Sequence, residues 1–178
     1  MNICVYCGSS PGNNPDIINR AGEFGKLLAE NGHTLIYGGS SLGIMGTIAD
    51  SVMINGGEVI GVIPENLFSK EVGHRGITRL ITVKDMHQRK SHMAELADAF
   101  VAFPGGFGTM EELFEIITWN QIGLLNKPVT IMNLNGYYNF LIEMMDHSVE
   151  AGFIKSENRE IVQVAETLEE CLELCEQA

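Results

Sequence analysis

The sequence predicts an α/β protein: a Rossmann-like, doubly wound parallel sheet with helices on both faces. Three observations carry this. Short apolar runs rich in β-branched residues alternate with stretches of helical length along the chain. No linker or low-complexity segment interrupts that alternation. Glycine-rich turns follow several of the apolar runs, where such folds keep their ligand sites. The length of 178 residues suits a single domain over 1–178 with a substantial core.

The elements follow in order. Residues 2–7 read as a strand, and a Pro/Gly/Asn loop leads into a helix over 15–30, with Asn14 as N-cap and Gly32 closing it. Residues 33–37 form the next strand, and a glycine turn over 38–46 enters a helix that stops near Asn55 and Gly56. A third strand over 58–63 is halted by Pro64, and 65–76 reads as an irregular excursion placed as a lid. After a strand over 80–83, Asp85 is the expected N-cap of a helix carrying Met86, Arg89, Lys90 and Met93 on one face. The apolar run 99–103 is a buried strand, and a second glycine turn leads to a helix carrying Glu112. A strand over 129–133, a helix over 137–150 and a strand over 161–165 come next. The last helix opens with the capping box Thr167-Leu168-Glu169-Glu170.

Two segments carry chemistry. In Pro104-Gly105-Gly106-Phe107-Gly108-Thr109-Met110-Glu111-Glu112 the glycines allow a tight turn, and Thr109 is expected to cap the helix. Backbone N–H groups at such a helix start bind anions, most naturally a phosphate. Glu111 and Glu112 complement the helix dipole on the plainest reading. A phosphate cradle nevertheless repels carboxylates, so two of them beside it point to chemistry on another part of a nucleotide. The second segment is Asp85-Met86-His87-Gln88-Arg89-Lys90, where two adjacent cations at a helix start oppose the dipole. They can pair with a phosphate or with the glutamates.

The order MHQRK and then PGGFGTMEE resembles the LOG family, the cytokinin riboside 5′-monophosphate phosphoribohydrolases. CVYCGSS at the N-terminus and YGGSSLGIMG over 37–46 are similar to the same family in the same order, so the resemblance runs from Met1 to about Tyr138. Ser40 stands where the family usually has a third glycine. The resemblance implies cleavage of the N-glycosidic bond of a nucleoside 5′-monophosphate with no cofactor. Glu112, at the last position of PGGxGTxxE, would be the catalytic carboxylate, Arg89 the second catalytic group, and Lys90 an added charge. Gly105, Gly106, Phe107, Gly108 and Thr109 would hold the phosphate, and Glu111 would help to bind the ribose. Glu71 and Thr118 match positions the family uses around its nucleotide; as plain residues they read as a solvated loop acid and a helix residue bonded to its own backbone. Ser9, Gly38, Gly39 and Met45 are expected pocket walls, with sheet packing the competing role of the glycines. A homodimer with sites near its interface is implied, and Trp119 and the Met-rich helices can supply that surface or the monomer core.

Composition narrows the alternatives. A net charge of −12 argues against nucleic-acid polymers, although Lys70, Arg75, Arg79, Lys84, Arg89 and Lys90 cluster enough for a local anion site. Cys4 and Cys7 point to opposite faces of a strand, Cys171 and Cys175 lie a helical turn apart, and no histidine pairing supports a metal. Buried, reduced thiols without signal peptide, lipidation motif or membrane-length run lead to the expectation of a soluble cytoplasmic protein. The competing class is a non-catalytic nucleotide or molybdenum-cofactor carrier, which has no need of Arg89 with Glu112. Some family members carry a lysine decarboxylase label, yet none of the six lysines sits in a recognisable pyridoxal phosphate context.

Overall fold

Seven strands form one parallel sheet in the computed structural model, which describes residues 1–68 and 73–177. They are β1 (Asn2–Tyr6), β2 (Thr34–Tyr37), β3 (Glu58–Pro64), β4 (Arg79–Val83), β5 (Ala99–Ala102), β6 (Val129–Met132) and β7 (Val162–Ala165). Their order across the sheet is β4-β3-β2-β1-β5-β6-β7. The winding therefore reverses at β1, which pairs with β2 on one side and β5 on the other. At such a reversal the loops leaving β1 and β5 diverge to opposite faces and open a crevice beyond the strand ends.

The helices are α1 (Pro15–Glu30), α2 (Gly43–Ile54), α3 (Glu65–Phe68), α4 (Met86–Leu96), α5 (Phe107–Gln121), α6 (Asn139–Glu150), α7 (Ser156–Arg159) and α8 (Leu168–Glu176). Because the middle strands are covered on both faces, β5 and β6 are buried at every residue and read as unbroken apolar runs. One core gathers Ile3, Val5 and Val101 from the sheet with Phe24, Ile48 and Leu172 from α1, α2 and α8. The other gathers Cys4, Tyr6 and Ile131 with Met93, Leu113 and Met145 from α4, α5 and α6. Cys4 and Cys7 fall in different cores, as their spacing predicts, and Cys4, Cys7, Cys171 and Cys175 are buried free thiols.

Capping follows the sequence at three helices: Asn14 accepts from Asp16 N–H, Asp85 from Gln88 N–H and Thr167 from Glu170 N–H. It fails at α5. Gly106, in an extended conformation, occupies the N-cap, so the helix starts at Phe107 and Thr109 lies within its first turn, buried. The reason is local packing. A Cβ on Gly105 would meet the Thr109 side chain, so the threonine fills the space behind the turn instead of capping it. Likewise α2 starts at Gly43, which puts Met45 and Gly46 inside the helix and shortens the turn expected over 38–46. The excursion over 65–76 also departs from a simple lid, because α3 opens it and His74 closes it with its backbone N–H on the Gly39 carbonyl. Glu71 lies outside the described residues.

Candidate active site

Three loops meet at the ends of β1, β2 and β5. Gly8, just after β1, donates its N–H to the Pro104 carbonyl (3.2 Å) and accepts at its own carbonyl from Met45 N–H (3.3 Å). A cavity of about 450 Å³ opens over this junction, between Gly8, Ser10, Ile44, Gly105, Gly106 and Tyr137. Its size is that of a small-ligand site, and its position is the crevice the winding reversal creates. Asn135, with φ of +53°, turns the chain at its edge and bonds Asp16 (2.9 Å).

The start of α5 is built to present donors. No side chain caps it, so the first-turn N–H groups carry the positive end of the helix dipole into the turn formed by Gly105, Gly106, Phe107, Gly108 and Thr109. Tyr137 Oη donates to the Gly105 carbonyl (2.6 Å) and Tyr138 Oη to the Phe103 carbonyl (2.7 Å), which fixes the Gly105–Gly106 and Phe103–Pro104 peptide units. Phe107 itself projects into solvent, 90% exposed. Neither tyrosine is conspicuous in the sequence, because a contact from the start of α6 back to the β5 turn has no local periodicity.

The charged groups lie on the α4–α5 face. Arg89 is 6% exposed, and its Nη2 donates to the Gly38 carbonyl (3.1 Å) while, among the described residues, its Nε–H finds no acceptor. An arginine this buried carries a large desolvation cost unless its donors are matched. Gly38 must be glycine here, since a Cβ would fall on the guanidinium and against Met45. Glu112, half-buried in the first turn and a half of α5, projects its charge onto the same place. Burial, then the Glu112 carboxylate, drives the Cys7 thiol well above its ordinary pKa, and the Arg89 charge opposes this. The same two charges act on the Cys4 thiol after the larger effect of burial. The charges of Arg89 and Glu112 are thus both felt at Cys4 and Cys7, at the end of β1.

Lys90 does something different from its neighbour. Its Nζ reaches Glu111 (2.6 Å) and Glu115 (3.0 Å), clamping α4 to α5. Burial would lower its pKa, but the hydrogen bonds and charges of Glu111 and Glu115 outweigh that and hold it above the usual value. Glu111 is therefore held in an ion pair, with 55% of its side chain exposed. Thr118 is exposed and donates to the Phe114 carbonyl (2.7 Å), as a helix threonine does. Ser9 is exposed on the β1 loop; Gly38, Gly39 and Met45 are buried on the Arg89 side. Ser40 tolerates its side chain because its φ is not positive, and its Oγ accepts from Leu42 N–H (3.2 Å).

Fold and site together define a Rossmann-like α/β protein with a glycine-rich, uncapped helix start, a buried arginine and a carboxylate pair in the first turns of that helix. The chain belongs to the LOG family: the family model described as "Possible lysine decarboxylase" matches residues 45–175, and the chain is similar at 45% identity to a cytokinin riboside 5′-monophosphate phosphoribohydrolase of Arabidopsis thaliana, over 98% of this chain and 82% of that one. A structural-genomics X-ray structure superposes with a TM-score of 0.75 at 22% identity, covering 100% of this chain and 99% of the other. The molybdenum cofactor carrier protein of Chlamydomonas reinhardtii superposes with a TM-score of 0.73 at 23% identity, over 99% and 95% of the two chains. At that identity the likeness concerns the fold alone.

Proposed function

We propose that this protein hydrolyses the N-glycosidic bond of adenosine 5′-monophosphates, N6-substituted ones included, to free base and ribose 5-phosphate. The observation that carries the reading is a buried arginine, Arg89, held on the Gly38 carbonyl, in a chain whose glycine turn after β5 opens an uncapped helix bearing Glu112. The α5 turn holds the phosphate, so that binding energy remote from the reacting bond fixes the ribose against the carboxylate. As the C1′–N bond breaks, positive charge grows on the ribose ring. Glu112 stabilises that charge, orients a water toward C1′ and takes its proton as the new C–O bond forms. The departing base keeps the bonding electron pair. Arg89 offers the departing anionic base a fixed cation and hydrogen-bond donor, since a guanidinium does not give up its proton. Solvent protonates the base, and Glu112 returns its proton to solvent. Lys90 holds Glu111 and Glu115 in ion pairs and adds a fixed positive charge beside the α5 start.

The decarboxylase description fits these residues poorly. An imine-forming lysine needs a lowered pKa, whereas that of Lys90 is raised by two carboxylates. The working unit in this reading is a single catalytic domain over 1–178 that assembles as a homodimer. Phe107, Phe114, Thr118 and Ile122, spaced seven, four and four apart on α5, are all exposed and form a largely apolar stripe that a second copy covers. No helix among the described residues is long and apolar enough to cross a membrane, and a soluble cytoplasmic protein is in keeping with four free buried thiols.

The test is incubation with AMP and with isopentenyladenosine 5′-monophosphate, following free base and ribose 5-phosphate by chromatography. Release from either supports the reading, and the ratio of rates gives the preferred base. No base from either nucleotide overturns it.

A further inference from the structure

Behind the β2–α2 turn lies a hydrogen-bonded chain that the chemistry above does not use. His74 is 9% exposed, and both of its ring nitrogens are engaged. Nδ1 lies 3.0 Å from the Tyr37 hydroxyl and Nε2 lies 3.2 Å from Asp50 Oδ1. Tyr37 ends β2, directly before Gly38, while Asp50 sits on α2. The Asp50 carboxylate can only accept, so Nε2 carries the ring proton, and Nδ1 of the neutral ring then accepts from the Tyr37 hydroxyl. The backbone joins in: His74 N–H donates to the Gly39 carbonyl (2.9 Å), and Gly73 bridges to Ser40 in antiparallel fashion.

The turn so braced is the one whose Gly38 carbonyl holds Arg89. Tyr37 precedes it in the chain, and His74 grips the carbonyl that follows it. Gly39 has φ of +76°, and a Cβ there would meet Leu80 and Ile63, so the turn is held by close packing as well as by hydrogen bonds. We infer that His74 is a positioning residue: through Tyr37, Asp50 and the Gly39 carbonyl it sets the direction of the Gly38 carbonyl and hence of the Arg89 guanidinium. This rests on the proposed nucleotide hydrolysis. Tyr37 and His74 are both buried, so their effect is geometric.

Three variants test it, assayed beside the wild type: His74→Leu, Tyr37→Phe and the conservative His74→Gln. Because small misplacement of a catalytic group is costly, His74→Leu is expected to lower kcat about 10- to 100-fold. Tyr37→Phe, which deletes one hydrogen bond, should lower it about fivefold. In both, KM for the nucleotide stays within about threefold, since the phosphate turn is untouched, and His74→Gln recovers part of the lost kcat. A kinetic cycle with Arg89→Lys adds a readout that loss of fold would not give. The His74→Leu effect should shrink in that background if it acts through Arg89, and should multiply if it does not. Should His74→Leu fail to fold, Tyr37→Phe carries the same comparison. Unchanged kcat in a folded variant, or equal losses in kcat and affinity, overturns the brace while base release by the wild type leaves the enzymatic reading standing. No base release by the wild type overturns that reading and the brace with it.

Discussion

The β2–α2 and β5–α5 turns look alike in sequence, each a glycine pair after an apolar strand, yet they present opposite chemistry. Neither helix starts with a side-chain cap, but at α2 Met45 N–H is taken by the Gly8 carbonyl, whereas the Gly105–Gly106 start of α5 lines the crevice. At β2–α2 it is the carbonyls that are used, Gly38 by the Arg89 guanidinium and Gly39 by His74 N–H. One turn thus offers donors to an anion, and the other offers acceptors to a cation. Even the reason for glycine differs. Gly38 makes room for a charged group from another helix, and Gly105 makes room for a threonine of its own helix. A glycine-rich strand-to-helix turn therefore does not by itself mean a phosphate site; what decides is which backbone groups the neighbours have already taken.

The sharpest way to break the comparison is at the carboxylate between the two turns. Glu112→Gln should lower kcat by at least about a thousandfold, with nucleotide affinity measured by calorimetry within about threefold of wild type. Normal turnover in that variant would remove Glu112 from the chemistry. Next in size, Gly38→Ala pushes a methyl group into Arg89 and is expected to cost about a hundredfold in kcat, read by initial rates at saturating nucleotide. Gly105→Ala should act on the other quantity. Its methyl meets Thr109 and distorts the phosphate turn, so KM rises about tenfold or more while kcat changes less. If both alanine variants moved the same parameter, the division of labour between the turns would be wrong. Tyr137→Phe removes the bond to the Gly105 carbonyl and should raise KM about three- to tenfold. The smallest effect belongs to Lys127, whose Nζ donates to the Ala94 and Ala97 carbonyls at the end of α4. Lys127→Met should lower stability by about 1–2 kcal/mol in denaturant melts and leave turnover intact.

Much of this architecture could be read before any coordinates, because it depends on local rules. Apolar runs of four to seven residues gave the strands, and Asn14, Asp85 and Thr167 announced three helix starts. Where the reading failed, the deciding contact was not local. Thr109 has the chemistry of a cap, but the glycine behind it draws its side chain inward. Residues 156–159 form a single helical turn too short to leave a periodic signature, and the reading passes over them. At the site, the adjacency of Arg89 and Lys90 suggested a shared role. Their side chains leave α4 a residue apart, so Arg89 turns to the β2 turn and Lys90 to α5. The spacing of Glu111 and Glu115, four apart on one helix face, was the available clue to the Lys90 clamp. Nothing comparable foretold Tyr137 or the Tyr37–His74–Asp50 chain, whose members lie on separate elements.

The peptide unit of Gly8, joined to Pro104 on one side and to Met45 on the other, also limits how the molecule can be altered. Three loops share that knot, so lengthening any one of them at the knot pulls the other two out of register. Room for variation lies farther out, at the cavity's rim, in the exposed stretch from Pro11 to Asn13, where, among the described residues, Gly12 N–H bonds only the neighbouring Ser10 Oγ. A designer wishing to graft new specificity onto this scaffold should therefore extend the rim and leave the knot at its present length.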